Sequence, residues 1–265
     1  MDIPQRKPFK ILLLGDACVD KYHYGTCTKL SSEAPVPIFK LISTETKNGM
    51  VLNVEQNLRS FGLSVDVVTN DSSLITKERF IDQRSGQHLL RSDSGEEREL
   101  KTLGVEELEI DEYDCVAVSD YDKGTMSHEN CLIISSLCKQ KGKPFFVDSK
   151  KADLSCFENA IIKINEDERG RVSNLPNQFE LITTLGAKGA VWNNHIFRAY
   201  KTEVFDVCGA GDTFFAALIS EFLKTKKIMP SIIFANKCAS VTVQKNGCYS
   251  LSDKDLREVR NGLRG

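Results

Sequence analysis

Gly209, Ala210, Gly211 and Asp212 stand side by side in the stretch VFDVCGAGDTFFAALISEF, directly before an apolar run. A helix starting here exposes unpaired backbone N–H groups and the positive end of its dipole. Two glycines let the main chain approach an anion without side-chain obstruction. Gly209, Ala210 and Gly211 can therefore form a ring of donors for an oxyanion or a phosphoryl group. Asp212 beside that ring is poorly placed to bind phosphate, because like charges repel. It is well placed to take a proton from a hydroxyl that attacks the phosphate. The chemistry this suits is phosphoryl transfer to an alcohol. Spacing alone leaves a second reading open, in which Asp212 caps the helix and the glycines make a tight turn. The stretch is neither a Walker A sequence nor a Gly-x-Gly-x-x-Gly dinucleotide fingerprint, which argues against a dehydrogenase.

Such residues need a scaffold that brings distant loops together. Six short apolar runs read as buried strands: Ile11–Leu14, Val65–Thr69, Cys115–Ser119, Phe145–Val147, Ala160–Ile164 and Leu181–Thr184. Helical patterns alternate with them. One begins at Asn53 and closes at Gly62, one spans MSHENCLIISSLCKQKGK and stops before Pro144, and two follow Gly211. The alternation predicts an α/β fold with a mainly parallel sheet covered on both faces. Residues 21–46 and 77–92 break the rhythm with alternating patterns and read as antiparallel strands of a small β-sheet lid. The acidic stretch Ser92–Asp114 reads as a solvated connection. Several strands end in polar residues, among them Asp16, Asp120, Asp148, Asn165 and Thr184. In an open α/β sheet those ends face the ligand, although Asp and Asn also cap helices and make turns.

Composition bounds the function. The 265 residues carry 35 Lys and Arg against 37 Asp and Glu, a net charge of -2, with 41% hydrophobic and 27% charged residues. That balance provides no electrostatic footprint for nucleic acid or an anionic membrane, so an anionic ligand must be held locally. The nine cysteines include no Cys-x-x-Cys pair, which argues against zinc and suits free thiols in a reducing compartment. The apolar run at Ile11–Leu14 is too short for a signal peptide core or a membrane span. The expectation is a cytoplasmic protein with one domain over residues 1–265.

The stretch DVCGAGD (Asp206–Asp212) resembles the Asp-Thr-x-Gly-Ala-Gly-Asp signature of the ribokinase-like PfkB carbohydrate kinases. GDACVDKYHYG with SSEAPVPIF, SDYDKG, VDSKKADLSCFENAIIKINEDE and VFDVCGAGDT are similar, in order, to D-glycero-β-D-manno-heptose 7-phosphate kinases. The resemblance runs from about Lys10 to Ser250. It implies a three-layer α/β/α sandwich with a small lid, and an ATP- and Mg²⁺-dependent kinase of a phosphorylated sugar. It also implies a homodimer paired through the lid.

Residue by residue, the resemblance makes Asp212 the base and Gly209, Ala210 and Gly211 the anion hole. Asn165 and Glu168 help place Mg²⁺ and phosphate, largely through water, although Glu166 and Asp167 fit on spacing alone. Mg²⁺ keeps several waters and needs few protein ligands. Thr184, Gly186 and Gly189 line the ATP site, with Asn236 near the base; read alone, Asn236 is equally a buried helix polar residue. Asp16, Asp20, Gly49 and Asn53 hold the sugar, with Asp120, Lys123 and Lys150 as further contacts. Lys123, Lys150, Arg79, Arg84 and Arg91 are candidate cations for its phosphate.

The chain also departs from the family pattern. Met50 stands where a second glycine precedes the sugar-binding Asn, which would reshape the sugar pocket. The segments 71–77 and 168–181 are short. The chain ends at Gly265, which leaves no room for the nucleotidyltransferase half of bifunctional relatives. A kinase of another sugar or a nucleoside, and a trimmed non-catalytic sugar- or nucleotide-binding protein, are the alternatives.

Overall fold

The computed structural model describes residues 7–97, 100–105 and 107–263. In chain order its strands are β1 (Lys10–Gly15), β2 (Ala17–Leu30), β3 (Pro37–Met50), β4 (Ser64–Thr69), β5 (Thr76–Asp82), β6 (His88–Ser94), β7 (Cys115–Asp120), β8 (Phe145–Ser149), β9 (Ala160–Asn165), β10 (Phe179–Thr184), β11 (Ala190–Trp192) and β12 (His195–Phe197). The α-helices are α1 (Val51–Ser60), α2 (His128–Lys141), α3 (Glu166–Arg171), α4 (Ala210–Thr225), α5 (Ile228–Thr242) and α6 (Asp253–Asn261).

The six apolar runs become the parallel part of an eight-stranded sheet ordered β12-β11-β10-β9-β8-β7-β1-β4. The short β11 and β12 add an antiparallel edge. Successive side chains of a strand point to opposite faces, so Ile11 and Leu13 enter one core while Leu12 and Leu14 enter the other. The first core is covered by α1, α4, α5 and α6 through residues such as Leu58, Phe215, Phe234 and Val259. The second is covered by α2 through Cys131, Ile134 and Cys138, together with Leu154 and Phe157. The chain is therefore a three-layer α/β/α sandwich.

The helix after Gly209 is apolar because it lies inside. Nine residues of α4, from Thr213 to Leu223, are buried between the sheet and its neighbouring helices. Burying a Phe or Leu contributes roughly 1.5–3 kcal/mol, so the Phe214–Leu218 run anchors the loop before it.

The second sheet has four strands in the order β3-β2-β5-β6. Its strands reach past the expected limits, and its two antiparallel hairpins are joined by a parallel pairing of β2 with β5. Cys18, Asp20 and Tyr22 share one face with Gly49, Lys77 and Arg79, because the register alternates.

One expectation changes, and two features singled out in the sequence find their place. The connection after Ser94 is not merely solvated, since Leu100, Val105 and Ile110 are buried. A short 3₁₀ turn, Ser72–Leu74, fills the shortened 71–77 segment, and the six-residue α3 is the sole helix between β9 and β10. Met50 is buried. Its side chain packs with Cys18, Ile75 and Leu100 beside Tyr121. Its backbone, at φ 56 and ψ -128, occupies a region that favours glycine, and it precedes α1 without a side-chain cap. That conformation costs on the order of 1–3 kcal/mol, which the burial of the methionine opposes.

Candidate active site

A cavity of about 320 Å³ opens at the carboxyl ends of β7, β8 and β9, where they meet the start of α4. Asp120, Tyr121, Asp148, Lys150, Lys163, Asn165, Glu168, Gly209, Gly211 and Asp212 line it. A broader groove of about 410 Å³ runs along α2 past Glu158 and Gln178, and holds none of the expected site residues. Chemistry, not size, makes the first the candidate site.

Gly209 is the N-cap of α4, left-handed at φ 73, with no side chain capping the helix. Asp212 therefore does not cap. Its carboxylate accepts from Asn53 Nδ2 at 2.5 Å and from the Tyr121 hydroxyl at 3.3 Å. The Ala210 amide donates to the Val207 carbonyl at 3.2 Å. That narrows the expected ring of three donors to Gly209 and Gly211, the members that border the cavity. Burial pushes Asp212 up from 3.8 to about 6, against the Asn53 hydrogen bond; nearby Asp148 raises it further while Lys163 and Lys150 lower it. A base so tuned is ionised at neutral pH yet basic enough to accept a proton.

Two ammonium groups serve the cavity. Lys163 is buried in the middle of β9 and pairs with Asp148 of β8 at 2.7 Å. Burial disfavours its charge, but Asp148 overcomes that and holds the ammonium above its usual range. A Cβ on Gly211 would lie 3.2 Å from Lys163 Nζ, so glycine there leaves room for the ammonium to face the helix start. Lys150 lies 3.9 Å above the Tyr121 ring. Among the described residues it has no carboxylate partner, and burial lowers its affinity for a proton.

Asn165 and Glu168 form a reciprocal cap on α3: Asn165 Oδ1 accepts from the Glu168 amide and Glu168 Oε2 from the Asn165 amide, both at 2.8 Å. Both line the cavity, whereas Glu166 and Asp167 face solvent. Among the described residues, no cluster of three or more His, Cys, Asp or Glu could cage a metal ion. One buried carboxylate and one amide fit a Mg²⁺ that keeps its waters and rides on phosphates.

The expected sugar residues fall into two groups. Asn53 (2% exposed) reaches Asp212 directly. Asp20 (4%) pairs with Arg79 Nη1 at 2.5 Å, and a side chain on Gly49 would overlap the Asp20 carboxylate. Asp16 (0%) plays another part, since its carboxylate accepts from the amides of Tyr121 at 2.7 Å and of Lys123 and Thr125 at 3.3 Å. These bonds shape the loop that presents Tyr121. Asp120 accepts from the Ser149 hydroxyl and the Asp122 amide, and burial raises its affinity for a proton.

Lys77 and Lys123 each hold the Glu96 carboxylate at 3.0 Å. Arg91 pairs with Asp93, and Arg84 lies exposed at the far turn beside Asp82.

Of the expected nucleotide residues Asn165 lines the cavity and Thr184 pairs beside it in the β9–β10 register, while Thr184, Gly186, Gly189 and Asn236 are not among the lining residues. Gly186 and Gly189 make the β10–β11 turn, and a Cβ on Gly189 would overlap the Phe197 carbonyl. Asn236 Nδ2 donates to that same carbonyl at 2.9 Å, as a buried helix polar residue would. The Thr184 hydroxyl donates to the Ile164 carbonyl at 3.4 Å.

Sequence reasoning gave Tyr121 and Lys163 no part in the site, and Asp148 only a place at a strand end. A lysine interrupting the apolar run AIIKIN was a usable signal, because a buried ammonium demands a partner, and the β8–β9 register sets it opposite Asp148.

Comparison with known proteins follows the same line. A profile described as pfkB family carbohydrate kinase matches residues 53–255. Relatives named bifunctional protein HldE are 29% identical in a Nitratiruptor species, over 96% of this chain and 66% of theirs, and 28% identical in Campylobacter jejuni, over 98% and 66%. The chain thus spans just under two thirds of the length of these relatives. The phosphofructokinase-2 from Escherichia coli in complex with potassium superposes with a TM-score of 0.74 at 14% identity, covering 97% of this chain and 99% of that one. A ribokinase from Arabidopsis thaliana, complexed with ribose and ATP, reaches 0.69 at 16% identity, covering 95% and 98%. These structures establish the ribokinase-like fold.

Proposed function

Because the chain belongs to the pfkB family of carbohydrate kinases, we propose that it moves the γ-phosphoryl group of ATP to the anomeric hydroxyl of D-glycero-β-D-manno-heptose 7-phosphate. The carrying observation is Asp212: a half-buried carboxylate, free of capping duty, beside two glycine amides at a helix start. The heptose motifs and the HldE-named relatives support the choice of sugar.

Asp212 accepts the hydroxyl proton at its carboxylate, oriented by Asn53 and Tyr121. The Gly209 and Gly211 amides and the Lys163 ammonium face the charge on the transferring group. Asn165 and Glu168 would hold Mg²⁺ through water, and the ion would neutralise charge between the phosphates. Asp20 and Asn53 bind sugar hydroxyls, and the Asp20–Arg79 pair fixes the first of them. Lys150, with Lys77 and Lys123, meets the substrate phosphate, which displaces Glu96 from the latter two.

The small sheet acts as the lid that excludes water. Its exposed Leu41, Ile42, Leu89 and Leu90 would be covered by the same sheet of a second copy. Light scattering should find a dimer; only monomer at high concentration would exclude that pairing. No helix among the described residues is long and apolar enough to cross a membrane. The free thiols suit the cytoplasm, the compartment this reading assigns.

ATP turnover against a panel of sugars, sugar phosphates and nucleosides tests the reading, with Asp212→Asn alongside. Turnover led by heptose 7-phosphate and lost in the variant is expected. Turnover led by another acceptor would keep the kinase and replace the substrate. Binding without turnover of any acceptor would leave the trimmed binding protein.

A further inference from the structure

The anion-hole loop carries a thiol that the phosphoryl-transfer chemistry does not use. Cys208 immediately precedes Gly209, and its Sγ lies 3.0 Å from Cys248 Sγ. The two loops that carry them are clamped by one carboxylate: Asp206 Oδ1 accepts from the Cys208 amide at 2.9 Å, and Asp206 Oδ2 from the Gly247 amide at 2.8 Å. The backbones come equally close, since a Cβ on Gly209 would meet the Cys248 Cα and Sγ at 3.4 Å. Tyr22, from the inner face of the small sheet, places its hydroxyl 3.6 Å from Cys208 Sγ and 3.5 Å from Cys248 Sγ, and Arg79 stacks 5.1 Å over the Tyr22 ring.

We propose that Cys208 and Cys248 form a reversible redox site whose disulfide withdraws the anion hole and stops phosphoryl transfer. The oxidant is a peroxide. Cys208 thiolate attacks one peroxide oxygen, the O–O bond breaks, hydroxide leaves and a sulfenic acid forms. Cys248 sulfur then attacks the Cys208 sulfur; the S–O bond breaks, the S–S bond forms, and the hydroxyl leaves with the Cys248 proton as water. The two sulfurs lose two electrons and the peroxide gains them. A thiol reductant reverses the step by exchange.

The chemistry favours this pair over the other thiols. Both members are half-buried and reachable, whereas Cys131 and Cys156 are sealed in the core. The hydrogen bond from Cys248, helped by Tyr22 and the charge of Arg79, holds the Cys208 thiol below its usual range and favours its thiolate. A disulfide needs its sulfurs at about 2.05 Å, so closure draws the Cys208–Gly209 loop toward the Cys248 turn by roughly 1 Å. A displacement of that size at a reacting centre can cost on the order of a hundredfold in rate.

The inhibitory half rests on the kinase reading; the crosslink does not. The full chain would be treated with hydrogen peroxide, then followed by intact mass, peptide mapping and turnover. A mass lower by two hydrogens, a Cys208–Cys248 peptide, and a turnover loss of at least about tenfold restored by dithiothreitol are expected. Cys208→Ser and Cys248→Ser should each keep their own untreated rate after peroxide. No crosslink at this pair, a crosslink that leaves turnover unchanged, or equal inactivation of both serine variants would overturn the proposal. Absence of turnover before any treatment would refute the kinase reading and the inhibitory half with it, while the mapped crosslink still decides the redox site.

Discussion

The two halves of the site that the proposed function assigns to acceptor and nucleotide are built differently. On the acceptor side, buried charges and amides from β2, α1, β5 and the 121–125 loop hold one another: Asp20 with Arg79, Asn53 with Asp212, Asp16 with three amides. On the nucleotide side, Gly186 has open space around it while Gly189 packs on the Phe197 carbonyl, and Asn236 is tied to the same backbone. Side chains in fixed positions can reject a wrong acceptor, since an unmatched buried polar group is costly. A turn that offers mostly backbone discriminates less. On the proposed reading, selectivity would belong to the wired half and the other half would be a platform.

The largest effect should come from Asp212→Asn, which removes the proton acceptor where the halves meet. A loss of about 10²–10⁴ in kcat is expected, with ATP affinity little changed. A comparable loss of ATP affinity would mean that the carboxylate serves the platform as well. Acid should imitate the variant. Asp212 is protonated below about 6 instead of 3.8, so kcat should be level above that pH and fall about tenfold per unit below it. A rate-pH profile still flat at pH 5 would show a base of ordinary acidity.

Gly49→Ala separates the halves more finely. The added methyl overlaps the Asp20 carboxylate, and overpacking of this kind costs about 1–3 kcal/mol. Steady-state kinetics should show a higher KM for the acceptor and an unchanged KM for ATP. Asn236→Ala should do least. It removes one hydrogen bond to the Phe197 carbonyl, worth about 0.5–1.5 kcal/mol, and should lower the melting temperature slightly with little change in ATP affinity. A tenfold rise in KM for ATP would make Asn236 a ligand contact and weaken the contrast.

The contrast also follows what could be read from the chain. Glycines before an acid and a helix are local, so Gly209, Gly211 and Asp212 could be found by spacing. The six parallel strands were local too, because both-face burial leaves an unbroken apolar run. Asp16 was legible as a carboxylate at a strand end, but not as the partner of amides more than a hundred residues later. Lys163 became meaningful only with the β8–β9 register that sets Asp148 opposite it. Met50 shows the reverse: its identity promised a crowded pocket, and only the backbone angle and the Cys18, Ile75 and Leu100 cluster show where the side chain went. Burial of Leu100, Val105 and Ile110 in an acidic connection was likewise hidden by its composition.

A single residue, Asp16, separates β1 from β2 and so joins the two sheets. Its amide donates to Ser119 in β7, and its carbonyl accepts from Val51 at the start of α1. If the small sheet closes as the proposed lid, it would be a lever on a very short axle, coupled through Val51 to the helix that carries Asn53. Two residues further on, a tilt of that lever would reach the amide that grips Asp212. Covering the acceptor and aiming the base would then be, mechanically, one stroke.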